Sequence, residues 1–166
     1  MRKLLLAVLG LLVTGPAFAE APWDALAKIE RQLRPHFPMA NFEEFECADS
    51  DGTYLCKNVV SFGEFGINYL LKFSLAGELT SAMLMMAGPA YVAQDDPAMT
   101  KLMTMAFGEA SLSVLELTAS PIPVGKRLGF ITKAMGAGDD GVVRNGWRYS
   151  GGAGFMTTFM AEKVGR

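Results

Sequence analysis

Cys47 and Cys56 are the two residues of this 166-residue chain whose types and spacing most clearly predict chemistry. Between them, Asp51-Gly52 is a strong hairpin signal, because a type I′ turn requires positive φ at both of its central positions. A hairpin centred on this turn pairs Cys47 with Cys56 at a non-hydrogen-bonded position. Cα atoms in such pairs lie about 4.5 Å apart, within reach of a disulfide. The spacing therefore predicts a structural disulfide between the two cysteines.

A redox couple and a metal site are the alternative uses of these thiols. Redox thiols are usually separated by two residues at a helix start, and two thiols with a single histidine, His36, form a poor zinc ligand set. The segment 49–52 resembles a fragment of a calcium loop. However, Cys47 stands where the first acidic ligand of that loop belongs and Asn58 where its closing Glu belongs. The sequence predicts no metal site and no cofactor.

The segment Gly136-Ala137-Gly138-Asp139-Asp140-Gly141 has the spacing of a dinucleotide-binding fingerprint. That fingerprint needs a strand before it and a helix after it, so that the helix N-terminus meets the pyrophosphate. Here the predicted order is helix then strand, and two adjacent aspartates would repel phosphate. The segment is therefore predicted to be a flexible connection.

Candidate catalytic side chains are few. Glu43, Glu44 and Glu46 could supply a carboxylate for glycoside hydrolysis, but no second carboxylate in a contrasting environment accompanies them. They are predicted to form a solvated acidic edge that discourages aggregation of the sheet. His36 lies in a proline-flanked connection with no Ser or Cys suggested as its partner. The chain has no catalytic signature, so a non-enzymatic function is expected, with an enzyme as the third hypothesis.

Methionine is abundant, with 11 residues in the chain. Thioether clusters can bind Cu(I), but most of these residues fall on faces predicted to be buried, where Met fills the core. A Met-lined pocket for an apolar ligand is a further possibility. Its predicted lining residues, on one strand and one helix, are Met83, Met85, Met99 and Met103.

Charge is distributed unevenly along the chain. The segment 20–123 has 6 basic and 14 acidic residues, whereas the segment 124–166 has 7 basic and 3 acidic residues. The basic residues could form a patch for an anionic partner, or the two halves could attract each other within one fold or across a homodimer. The second alternative is favoured. The predicted patch residues, with Arg144 and Arg148 placed on one strand face, are Lys126, Arg127, Arg144 and Arg148.

The N-terminus predicts export. Arg2 and Lys3 precede an apolar run over 4–13, and Ala17-Phe18-Ala19 places small residues before a cleavage site. The run is too short to span a bilayer. We therefore expect a signal peptide over 1–19, cleaved after Ala19, and a single domain over 20–166 in the periplasm or secreted. The composition, with 51% hydrophobic and 19% charged residues, argues against a disordered chain and against a nucleic-acid binder.

The elements that must position these residues follow from periodicity and turn signals. Segregated runs of strands and helices predict an α+β fold with helices packed on an antiparallel sheet of about six strands. A tight turn at Ala76-Gly77 would pair Phe73 with Thr80 and Leu71 with Ala82, and Asp96-Pro97 would open a helix. The predicted order is a helix over 22–34, strands over 42–46, 54–61, 66–75 and 79–86, two helices after 96 and 120, and strands over 142–149 and 155–162.

Two functions are compatible with these features. The first is an exported, non-enzymatic module that binds a protein or an envelope component. The second is a carrier that holds a small apolar ligand between the sheet and the Met-rich helix. The identity of the ligand or partner is not predicted by the sequence.

Overall fold

The computed structural model describes residues 21–88 and 95–165, so the predicted signal peptide lies outside the described residues. The described part has an α+β fold with three α-helices and an antiparallel sheet of eight strands. The helices are α1 (Ala21–Leu33), α2 (Pro97–Leu117) and α3 (Arg127–Gly136). The strands are β1 (Asn41–Phe42), β2 (Glu46–Ser50), β3 (Thr53–Ser61), β4 (Gly66–Ser74), β5 (Leu79–Ala87), β6 (Val142–Arg144), β7 (Trp147–Gly152) and β8 (Met156–Lys163).

The sheet runs in the order β1-β3-β4-β5-β8-β7-β6, and β2 also pairs with β3. The C-terminal strands therefore join the meander through β8, which lies beside β5. This arrangement confirms the predicted fold class, although the strand count is eight rather than about six. The difference arises because two of the predicted strand segments are each divided.

The segment 142–149 is not one extended strand but the hairpin β6–β7. Asn145 and Gly146 form its turn with φ of 50° and 76°, close to the 50° and 73° of Asp51 and Gly52 in the β2–β3 turn. Asn-Gly is the dipeptide most favoured in type I′ turns, so the signal for this hairpin was present in the sequence and was missed.

The β4–β5 hairpin has the predicted pairing of Leu71 with Ala82. The predicted pair of Phe73 with Thr80 is wrong, because the register shifts between Lys72 and Phe73 and Phe73 lies opposite Leu79. The bulge adds one residue to the strand next to the turn. Bulges of this kind depend on the fit of the whole sheet, and turn residues do not reveal them.

The core lies between the helices and one face of the sheet. Along β3, β4 and β5 buried residues alternate with exposed or half-buried ones, as expected when only one face packs on helices. Helix α1 packs on α2, α2 on β5 and α3 on β7. The largest fully buried side chains include Tyr69, Tyr149, Phe159 and Ile29.

Helix α2 begins as the sequence predicts. The Asp96 side chain accepts hydrogen bonds from the backbone N–H groups of Ala98 and Met99, and Pro97 occupies the first helical position. At its other end, Thr118 Oγ1 lies 2.9 Å from the Tyr149 hydroxyl on β7. Both ends of the long helix are thus fixed by side-chain hydrogen bonds.

Candidate ligand-binding cavity

A cavity of about 530 Å³ lies between α2, α3 and the end of the sheet. Two of its walls are helix faces, and β5 and β8 contribute Met86 and Thr157 to the third. It opens to solvent, since the lining residues Met105 and Leu128 are 50% and 60% exposed. The lining residues are His36, Met86, Thr104, Met105, Phe107, Gly108, Glu109, Ser111, Leu128, Ile131, Thr132, Met135, Ala153 and Thr157.

Helical periodicity explains how α3 forms one wall of the cavity. Leu128, Ile131 and Met135 follow each other at three- and four-residue spacing and all line the cavity. Val124 precedes Leu128 at the same four-residue spacing but does not line the cavity. Val124 lies in a short 3₁₀ turn before α3 and is 78% exposed. The stripe therefore begins only at α3 itself.

The polar end of the cavity is formed by residues distant in sequence. Gln32 Nε2 at the end of α1 donates a hydrogen bond of 2.8 Å to Glu109 Oε2 on α2. His36 Nε2 lies 3.7 Å from the same oxygen. The Pro35–Pro38 connection thus carries His36 to a carboxylate. No local sequence pattern pairs these residues, because they meet only when α1 packs on α2.

Three of the wall hydroxyls, those of Thr104, Ser111 and Thr132, are hydrogen-bonded within their own helices, whereas the fourth, that of Thr157, lies on β8. Ser111 Oγ donates to the Phe107 carbonyl oxygen at 2.8 Å, and Thr132 Oγ1 donates to the Leu128 carbonyl oxygen at 3.1 Å. Among the described residues, no hydrogen bond joins Ser111 to His36, so the two do not form a nucleophile and base pair. The walls therefore present mainly carbon to the cavity.

The predicted methionine pocket is not assembled. Met83 and Met85 alternate with Met86 along β5, so they lie on the opposite face of the sheet from the cavity. Met103 is fully buried in the core, and Met99 packs against that core without lining the cavity. The methionines that line it are instead Met86, Met105 and Met135. The sequence pattern indicated Met-rich elements correctly but could not assign their faces.

The predicted cationic residues are separated in the fold. Arg144 lies opposite Trp147, whereas Arg148 lies opposite Val143, so the two arginines point to opposite faces of the sheet. The expectation that they share a face is wrong, because the missed turn at 145–146 places them on different strands.

Several basic side chains of the C-terminal segment form ion pairs. Arg127 pairs with Glu116, and Arg148 Nη2 lies 3.2 Å from Glu162 Oε2. Lys163 Nζ lies 3.2 Å from Glu78 Oε2. The pairs of Arg127 and Lys163 join the basic C-terminal segment to the acidic N-terminal one, as the favoured alternative expects. Among the described residues, Lys126 and Arg144 have no ion pair.

The disulfide is formed as predicted. Cys47 and Cys56 are bonded across β2 and β3, with their Cα atoms 4.0 Å apart. Cys56 is buried in the core beneath the edge of the sheet. The nearby acidic residues Glu43, Glu44 and Glu46 are exposed, in agreement with a solvated edge.

The glycine-rich segment 136–141 connects α3 to β6, in the order helix then strand. A dinucleotide needs the opposite order, so the predicted connection is confirmed. At Gly141, a Cβ would lie 2.5 Å from the Tyr149 carbonyl oxygen, and φ is 62°. The close approach of the Gly141 backbone to β7 therefore explains why a glycine is needed here, and no ligand has to be invoked.

Comparison with known proteins gives no family for this chain. No family model matches it, and no curated protein or solved structure is significantly similar to it. Across residues 21–88 and 95–165, no three His, Cys, Asp or Glu side chains are grouped so that they could hold a metal ion. In the same ranges, no helix combines the length and apolar character required to cross a membrane.

Proposed function

We propose that this protein binds a small, largely apolar molecule in the cavity between α2, α3 and the sheet. The observation that carries the proposal is the cavity itself. Its volume of about 530 Å³ lies within the range of roughly 300–1,000 Å³ found for ligand pockets. Apolar walls with a few polar groups at one end are also typical of such sites.

Partner binding through the basic residues has less support. Arg144 and Arg148 lie on opposite faces of the sheet, and Arg127 and Arg148 are engaged in ion pairs, which argues against one continuous cationic patch. An enzymatic function has less support too, because the cavity's Ser111 hydroxyl is hydrogen-bonded to its own helix. Binding without chemical conversion of the ligand is the simplest function that these contacts support.

We place this function outside the cytoplasm, with residues 1–19 as a cleaved signal peptide. The basic and apolar N-terminus supports export, and the disulfide between Cys47 and Cys56 supports an oxidising compartment such as the bacterial periplasm. An intact mass that begins at Glu20 is the expected result for the exported protein. An intact mass that still includes residues 1–19 would contradict the assignment.

Native mass spectrometry of protein purified gently from a bacterial periplasm tests the function directly. A non-protein mass on the folded species is expected, and the same spectrum reports whether the protein is a monomer or a homodimer. Binding of N-phenylnaphthylamine, which fluoresces in apolar sites, tests the cavity when no native ligand is retained. An apo species that also fails to bind the dye would reject the proposal.

A matched pair of variants on α3 localises the binding. Thr132 lines the cavity, whereas its neighbour Lys133 is exposed and does not line it. The variant Thr132→Phe should fill part of the cavity and reduce dye binding, while Lys133→Phe should leave dye binding unchanged. Equal effects of the two variants would place the dye elsewhere on the protein.

A further inference from the structure

We infer that the ligand of this cavity carries a hydrogen-bond-donating head group, such as an amine or a hydroxyl, rather than a carboxylate or a phosphate. This inference rests on the proposed function and adds the chemical class of the ligand. It follows from the charge at the polar end of the cavity. Among the described lining residues, Glu109 is the only carboxylate, and no Lys or Arg is present.

One carboxylate oxygen of Glu109 is held by neighbouring side chains, and the other remains available as an acceptor for the ligand. Its Oε2 atom accepts the hydrogen bond from Gln32 and faces His36. Its Oε1 atom has no hydrogen bond from the described residues, and the side chain is only 23% exposed. A partly buried carboxylate with a free oxygen favours a donor, and charge-assisted hydrogen bonds are stronger than neutral ones.

An anionic head group would be repelled at this end of the cavity. It would approach the Glu109 carboxylate with no described Lys or Arg in the lining to compensate for the repulsion. The hydroxyls of Ser111 and Thr132 donate to their own helices and offer little to an anion. Among the described lining residues, His36 is the one basic side chain and it faces the carboxylate, and the Thr157 hydroxyl on β8 is the one hydroxyl that is not bonded within a helix.

Displacement of N-phenylnaphthylamine from the mature protein tests the head group with compounds that share one apolar chain. The probes are decylamine, decanol, decanoate and decane, which is the control without a head group. Decylamine and decanol should displace the dye, and decanoate should bind at least about tenfold more weakly than decylamine. Decanoate that binds as well as decylamine would overturn the inference, and would point to His36 as the group that selects the ligand.

Two charge-neutralising variants complete the test. Glu109→Gln should weaken decylamine about tenfold, strengthen decanoate and leave decane unchanged. The exposed Glu64, which does not line the cavity, supplies the matched control Glu64→Gln, which should change none of the affinities. An unchanged preference in Glu109→Gln, or dye binding that no decyl compound competes with, would reject the inference alone. Failure of the dye itself to bind would instead reject the proposed function.

Discussion

The hydroxyl oxygen of Tyr69 on β4 lies 3.0 Å from Ser113 Oγ on α2, and both side chains are buried. This hydrogen bond fixes the long helix over the centre of the sheet, as the bond between Thr118 and Tyr149 does at the helix end. Burial raises the pKa of the Tyr69 phenol well above its ordinary value of 10.0, and the hydrogen bond between Tyr69 and Ser113 opposes this shift only in part. The phenol is therefore held in its neutral form.

The raised pKa of Tyr69 predicts a loss of stability in alkali. A neutral phenol is favoured more in the folded than in the unfolded state, so its contribution is complete below pH 10.0 and declines as pH rises above that value. We expect the phenolate absorbance of Tyr69 to appear only together with unfolding. A spectrophotometric titration monitored in parallel with circular dichroism measures both, and Tyr69→Phe identifies the contribution. Ionisation of Tyr69 in the folded protein would contradict this prediction.

Loss of the disulfide should destabilise the sheet edge without abolishing the fold. The bond between Cys47 and Cys56, nine residues apart in sequence, closes a short loop, for which the chain-entropy model gives about 2.7 kcal/mol. The double variant Cys47→Ala/Cys56→Ala should lower the free energy of unfolding in urea by roughly that amount. A reductant should destabilise the natural protein and leave the double variant unaffected. Equal stability of the oxidised protein and the variant would show that the bond contributes nothing.

The start of α2 provides a test with adjacent aspartates. Asp96 caps the helix by accepting two backbone hydrogen bonds, whereas Asp95 is exposed and precedes the cap. Asp96→Ala should reduce the free energy of unfolding by about 1 kcal/mol. Asp95→Ala changes the charge equally and should have little effect. If thermal unfolding shows the same loss in both variants, charge rather than capping stabilises this helix.

Two glycines should respond to alanine in opposite directions. Gly129 lies within α3 with open space around it, so Gly129→Ala should stabilise the helix by about 1 kcal/mol. Gly146 has φ of 76° in the β6–β7 turn, so Gly146→Ala should destabilise the protein by roughly 1–2 kcal/mol. Chemical denaturation measures both changes. A stabilising Gly146→Ala would mean that the turn is not left-handed.

Features that depend on neighbouring residues could be predicted from the sequence. The Asp51-Gly52 turn determines the pairing of Cys47 with Cys56, because a two-residue turn leaves one register for the strands that follow it. The start of α2 at Asp96-Pro97 is equally local. The hairpin at Asn145-Gly146 belongs to the same class, and overlooking it led to the wrong placement of Arg144 and Arg148.

The sequence by itself determined the α+β class, the disulfide, the helix start and the periodicity of the apolar faces, because these depend on turn chemistry and on spacing over a few residues. Only the tertiary structure decided which faces meet. Met86 lines the cavity because it lies on the face of the sheet that packs on the helices, whereas Met83 and Met85 lie on the opposite face. Glu109 meets Gln32, 77 residues away in sequence, because α1 packs on α2. Such contacts depend on how whole elements bury their apolar surfaces together, which no local pattern specifies.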